Sequence, residues 1–169
     1  DVTDRQRALS NARDSEAHLR AIMDGAADGI ITMDAQGAIA SLNPSAADMF
    51  GYSREELLGQ NVSAMMPDPR ARTGSGYVKS YLGVGEATAV GTRREVDGRR
   101  KDGTTFRASV SIGEVLLDGG AFFAIVVRDI TEQLALRDEL IALNAQLERR
   151  VEERTVELAR EAEQHRATA

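Results

Sequence analysis

Few residues in this chain have the type and spacing for chemistry. There are two histidines, His18 and His165, and no cysteine among 169 residues. Thiolate nucleophiles, thiolate metal sites and disulfides are therefore excluded. Glu55 and Glu56 are adjacent carboxylates of the kind used in acid–base work. They follow Ser53 in the string S-R-E-E, however, and that pattern caps a helix. Asp24, Asp28 and Asp34 offer hard oxygen ligands to a cation, but they fall at a helix end and at turns, where aspartate serves the backbone. The stretch GVGEATAVG (83–91) lacks the lysine and the strand–turn–helix setting of a phosphate loop. His165 lies in EAEQHRATA, without the surroundings of a phospho-accepting histidine. No catalytic group and no metal site is predicted, and the chain is expected not to be an enzyme.

Composition narrows the partners. The net charge is −6 with a pI near 5.0, and no basic stripe marks a nucleic-acid surface. No apolar run approaches the ~20 residues of a membrane-spanning helix, so no direct membrane contact and a cytoplasmic location are expected. Phe50, Phe106, Phe122 and Phe123 sit among alternating residues or beside turns, as core residues do. Met23, Met49, Met65 and Met66 read as gap-fillers in a thin core or as the lining of a pocket.

The elements that would position these residues follow from periodicity. Residues 1–23 read as a helix, with Val2, Leu9, Ala12, Leu19 and Met23 at three- and four-residue intervals. GIITM (29–33) and AIASLN (38–43) read as strands around a turn at 34–37. Asn43-Pro44 starts a short helix over 44–50 that stops at Gly51. The Ser53 box starts another, ending at Gly59, and NVSAMM (61–66) is a helical turn halted by Pro67 and Pro69. A loop then leads to a helix near 75–83. Strands at 88–99 and 104–115 flank Lys101-Asp102-Gly103, a hairpin signal. Asp118-Gly119-Gly120 makes a second hairpin into a strand at 121–129. From Asp129 onward the pattern is helical, with Leu136, Leu140, Leu143 and Leu147 at heptad spacing. The stripe then slips to Val151 and Leu158, a stutter that would place Arg150 and Arg154 inward if the heptad were strict. The fold class is α+β: one five-stranded antiparallel sheet with small helices on one face. Of the alternating residues of the last strand, Ala121, Phe123 and Ile125 or their alternates are expected to face the N-terminal helix or a second subunit.

Three strings carry a resemblance. DGIITMDAQGAIASLNPSAADMFGYSREELLGQNV, GRRKDGTTF and AIVVRDIT, in this order, resemble a PAS domain over about 19–131. The resemblance implies a sensory, signal-transmitting and dimerising module. It also implies that DIT ends the last strand and feeds an outgoing helix. DVT at residues 1–3 resembles the same tail, which implies a preceding PAS domain. Residues 1–18 are then an incoming linker helix, 19–131 the PAS domain and 132–169 an outgoing coiled-coil helix. Asp129 and Thr131 would couple strand to helix.

A narrower resemblance links GQNVSAMMPDP and GYVKSYLGVGEATAVGTRREVDGRRKDGTTF to the oxygen-sensing haem PAS domain of FixL-type kinases. That family's iron-ligating His lies two residues before a Gly-Tyr pair. Here the pair is Gly76-Tyr77 and the ligand position holds Gly74. A second family Arg falls on Ser80. Tyr77, Thr92, Arg94, Val110 and Ile112 are left as candidate pocket residues, and no cofactor is predicted. The cysteine that a light-sensing flavin adduct needs is also absent.

The helical stripes are too apolar to remain in water. Each leucine gains roughly 1.5–3 kcal/mol on full burial. A parallel homodimer is expected through Leu9, Leu19, Met23, Leu136, Leu140, Leu143 and Leu147. QLERRVEERTVEL (146–158) resembles the connector before a histidine-kinase dimerisation domain. This implies a bacterial two-component sensor histidine kinase, a transferase, with PAS and kinase domains as neighbours in the same chain. The alternatives are a haem-like gas or redox sensor and the PAS module of a diguanylate cyclase.

Overall fold

The computed structural model describes residues 1–67, 93–117 and 119–168, without the Leu117 side chain. Gly74, Tyr77, Ser80, Thr92, the helix expected near 75–83 and the strand segment 88–92 lie outside the described residues. Two units separate in the backbone, Asp1–Ile130 and Thr131–Ala169.

The first unit opens with helix α1, Val2–Gly25, whose N-cap Asp1 accepts a hydrogen bond from the Thr3 amide. Strand β1, Gly29–Asp34, pairs antiparallel with β2, Ile39–Leu42. The turn between them is held by the Asp34 carboxylate, which accepts from the amides of Gln36 and Ala38, both at 2.9 Å. Helix α2, Pro44–Phe50, starts at Asn43 and ends at Gly51, whose φ of 72° is the left-handed conformation that stops a helix. Helix α3, Arg54–Leu57, has the reciprocal Ser53–Glu56 capping box expected for it. The turn at Val62–Met65 is a 3-10 helix capped by Asn61. Five residues between an Asx cap and Pro67 leave no room for a settled α-helix.

Strand β3, Arg93–Arg99, turns into β4, Thr105–Leu117, and β4 turns into β5, Gly120–Asp129. The sheet order is β2-β1-β5-β4-β3, so the last strand lies in the centre beside the first. Residues 59 and 60 meet the free edge of β2 at its first residue: the Gly59 amide donates to Ile39 O and the Ile39 amide to Gln60 O. These bonds cap the edge at its first residue, where an added strand would otherwise begin to pair.

Alternation along the strands gives the sheet two faces. Ile31 and Met33, Ala108, Val110 and Ile112, and Ile125 and Val127 point inward. They pack on Ala46, Phe50, Leu57, Val62, Met65 and Met66 of the small helices. In β5 it is Ile125 that is buried inward, with Phe123 packed against the same core. The alternates Phe122, Ala124 and Val126 are half-buried on the other face. The central pairing leaves no choice, because Ile31 opposes Ile125 and Ile112 opposes Ile125 from the other side.

The second unit contains helix α4, Thr131–Ala167, 37 residues long, or about 55 Å at 1.5 Å per residue. None of its residues is buried. Leu136, Leu140, Leu143, Leu147, Val151 and Leu158 are all exposed along it. Leu9, Leu19 and Ile22 of α1 are exposed as well. No described helix is long and apolar enough to cross a membrane.

Candidate functional site

The inner face of the sheet encloses an apolar cavity of about 40 Å³. It is lined by Ile31, Phe50, Met65, Met66, Val110 and Ile125, among others. Small-molecule sites usually offer ~300–1,000 Å³, an order of magnitude more. Among the described lining residues the soft donors are the thioethers of Met65 and Met66; there is no imidazole. His18 is exposed on α1, and on α4 His165 directs Nδ1 at the Glu161 carbonyl of its own helix.

One wall of the cavity depends on a missing side chain. A Cβ on Gly98 would stand 2.7 and 2.8 Å from Phe106 ring carbons and 3.2 Å from Phe50. The two rings meet edge to face, with centroids 5.2 Å apart and planes at 62°. Gly98→Ala must push this pair aside and is expected to cost about 1–3 kcal/mol. Gly113→Ala in β4 meets nothing within 4 Å and is expected to stabilise by about 0.5 kcal/mol, since alanine loses less backbone entropy. Urea midpoints shifting in opposite directions would show this.

Three consecutive residues after Gly98 tie the β3–β4 hairpin to four other elements. Arg99 donates to Ala64 O of the 3-10 turn at 3.1 Å. Arg100 donates to Met49 O of α2 and, at 2.8 Å, to Asp129 Oδ2 at the end of β5. Its guanidinium also lies 4.1 Å from the centre of the Phe106 ring, a cation–π contact. The Lys101 amide donates to Phe50 O at 2.9 Å, and its ammonium pairs with Glu56 of α3. The Glu56 carboxyl is held below its ordinary value, chiefly by Lys101. The hairpin is rigid enough to act this way: Asp102 accepts from both the amide and the hydroxyl of Thr104, at 2.9 and 2.6 Å. One residue past Asp129, the Ile130 amide donates to Arg107 O at 2.9 Å, so the strand is held to its last residue.

Asn43 forms a second node. It is 2% exposed. Its Oδ1 accepts from the amides of Ile30 (2.8 Å) and Ala46 (3.0 Å). Its Nδ2 donates to Met23 O (2.9 Å) and Asp28 O (3.0 Å). One amide therefore caps α2, holds the start of β1 and grips the end of α1. Beside it the Ser45 hydroxyl donates to Ala26 O.

Asp28 faces Arg128 of β5 in a bidentate pair, Oδ1 to Nε at 2.8 Å and Oδ2 to Nη2 at 2.7 Å. The hydrogen bond from Arg128 is the main force holding the Asp28 carboxyl below its ordinary value, and the charge of Arg93 adds to it. The linked contribution to stability is complete above the ordinary aspartate pKa of about 3.9. It is lost as pH falls through the depressed folded value. A Tm advantage of the native chain over Asp28→Asn at pH 6 is therefore expected to shrink below about pH 4.

Of the pocket residues expected from sequence, Val110 lines the cavity. Ile112 is buried one step along the strand, and Arg94 is half-buried opposite Val110. Asp129 stands in the hairpin node and Thr131 begins α4. The sequence did not single out Arg100, Arg128 or Asn43's grip on α1. The signals available were the R-R-K triplet before the turn and the Arg before D-I-T.

Comparison with known protein families matches residues 17–130 to the PAS fold. The chain belongs to the PAS family. This PAS domain is homologous to the sensor protein FixL of Bradyrhizobium diazoefficiens, 34% identical over 147 residues, covering 87% of this chain and 29% of that protein. It is homologous also to the cell-division control histidine kinase PdhS of Brucella anthropi, 32% identical over 160 residues, covering 95% of this chain and 15% of that protein. The solved PAS domain of an HTR-like protein from Haloarcula marismortui superposes with a TM-score of 0.58 at 26% identity, over 74% of this chain and 99% of that one. The chain thus spans under a third of the curated relatives named here. The two nodes described above lie within the matched PAS region.

Proposed function

We propose that this chain is the sensory and signal-transmitting PAS module of a cytoplasmic two-component sensor histidine kinase. In this reading residues 1–18 bring the signal in, 19–131 form the domain, and 132–169 carry it out. α1 and α4 pair with their counterparts in a parallel homodimer through Leu9, Leu19, Met23, Leu136, Leu140, Leu143 and Leu147. The observation that carries the reading is Arg100. It reaches a carbonyl of α2, stacks on Phe106, which packs against the cavity-lining Phe50, and grips Asp129 at the last strand's end. A shift of the cavity's lining moves Phe50 and Phe106, and Arg100 passes that movement to Asp129 and onward to Thr131. The small cavity and its donor set favour a transmitter without a cofactor over a haem sensor.

The test uses the full-length protein. Arg100→Gln and Asp129→Asn each remove the charged link while leaving the sheet pairing in place. A coupling of 1–3 kcal/mol corresponds to about 5–150-fold. Autophosphorylation of either variant is expected to differ from the native protein by at least about fivefold, with the circular dichroism unchanged. Native output in both variants would contradict the proposal.

A further inference from the structure

Arg128 and Asp129 are neighbours on β5, so their side chains leave opposite faces of the sheet. Asp129 is taken by Arg100 on the face that carries the small helices. Arg128 is taken on the other face by Asp28, 100 residues away in sequence. Asp28 is itself fixed at its carbonyl by Asn43 Nδ2, and the same nitrogen holds Met23 O in the last turn of α1. A chain of contacts therefore runs from Met23 through Asn43 and Asp28 to Arg128. None of these four residues lines the cavity.

We infer that the Asp28–Arg128 pair is a second coupling route, by which a displacement of α1 reaches the end of β5 without passing through the cavity. The inference rests on reading β5 as the domain's exit. Its physical basis is the geometry of the pair. An ordinary exposed ion pair contributes ~0–1 kcal/mol, but a bidentate guanidinium–carboxylate contact fixes orientation as well as distance. Here it joins two segments that flank the same end of the sheet, since Gly29 opposes Val127. The two routes converge on adjacent residues, so β5 is positioned by the incoming helix on one face and by the cavity hairpin on the other. A domain wired this way passes on a signal from a preceding module even when its own cavity does not respond.

Amide hydrogen exchange on the 169-residue chain separates the two routes. The reporters are Ile30 at the inlet, Lys101 at the hairpin and Ile130 at the exit, each with an amide bonded to a defined acceptor. In Asp28→Asn, exchange at Ile30 and Ile130 is expected to rise together by about fivefold or more, the lower bound of ordinary site coupling, while Lys101 keeps its native rate. The double variant Asp28→Arg with Arg128→Asp is expected to restore both. In Arg100→Gln, Lys101 and Ile130 are expected to loosen while Ile30 does not. Unchanged Ile130 exchange in Asp28→Asn, no restoration by the charge swap, or a uniform rise across the whole sheet would each overturn the second route. Unchanged Ile130 exchange in Arg100→Gln would instead overturn the hairpin route of the proposed function.

Discussion

Asn43→Ala is expected to destabilise the domain by about 3 kcal/mol. Loss of an N-cap alone costs roughly 1 kcal/mol. The rest comes from buried backbone groups left without partners, at about 1–3 kcal/mol for the set. Four bonds end at this side chain: the amides of Ile30 and Ala46 donate to it, and the carbonyls of Met23 and Asp28 accept from it. Asn43→Asp separates the two jobs. It keeps the oxygen that caps α2 and meets Ile30, but it turns an oxygen toward Met23 O and Asp28 O, where a donor is needed. The cap therefore survives and the grip on α1 fails. Urea unfolding with unchanged m-value measures the first effect; a helical signal lost from α1 alone measures the second. A loss under about 1 kcal/mol in Asn43→Ala would mean the node does little beyond capping.

The second large effect concerns α4. Leu136, Leu140, Leu143 and Leu147 stand in water at 48–66% exposure when the chain is taken singly. The four gain roughly 1.5–3 kcal/mol each on burial, so pairing two copies gains more than enough to offset the cost of association. Leu140→Glu with Leu147→Glu places carboxylates where the two stripes would meet, facing like charges across the axis. The native chain is expected to sediment as a dimer and the double variant as a monomer with its sheet intact. Identical sedimentation of both would contradict the pairing. In a paired α4 the stripe's slip after Leu147 would leave a weaker half, where Arg154 bonds Glu157 at 2.6 Å along its own helix. A pair of helices with one tight and one loose segment can change register at small cost.

The sequence spelled out what is local. Asn43-Pro44, Gly51 and S-R-E-E set α2 and α3 because caps and stops depend on residues three or four apart. Lys101-Asp102-Gly103 placed the hairpin because Asp102 closes the turn through Thr104 alone. The nodes were not legible, for the opposite reason. Arg128 meets Asp28 across 100 residues and Arg100 meets Asp129 across 29; nothing in the spacing of either pair marks it. The size of the cavity was hidden too, since it depends on how Phe50 and Phe106 pack over Gly98. Which alternates of β5 face inward was decided by its two neighbours, β1 and β4, not by its own pattern.

The central claim is that two copies of α4 run side by side in the same direction, so that a change at Asp129 is passed along a shared axis. The absence of cysteine makes a single spin label unambiguous. Asn144→Cys and Gln164→Cys, labelled separately, place one nitroxide near the middle and one near the end of α4 in each chain. The account predicts a short, narrow inter-label distance at both positions, as two parallel helices require. A short distance at 144 with a long one at 164, or no dipolar coupling at either, would contradict it.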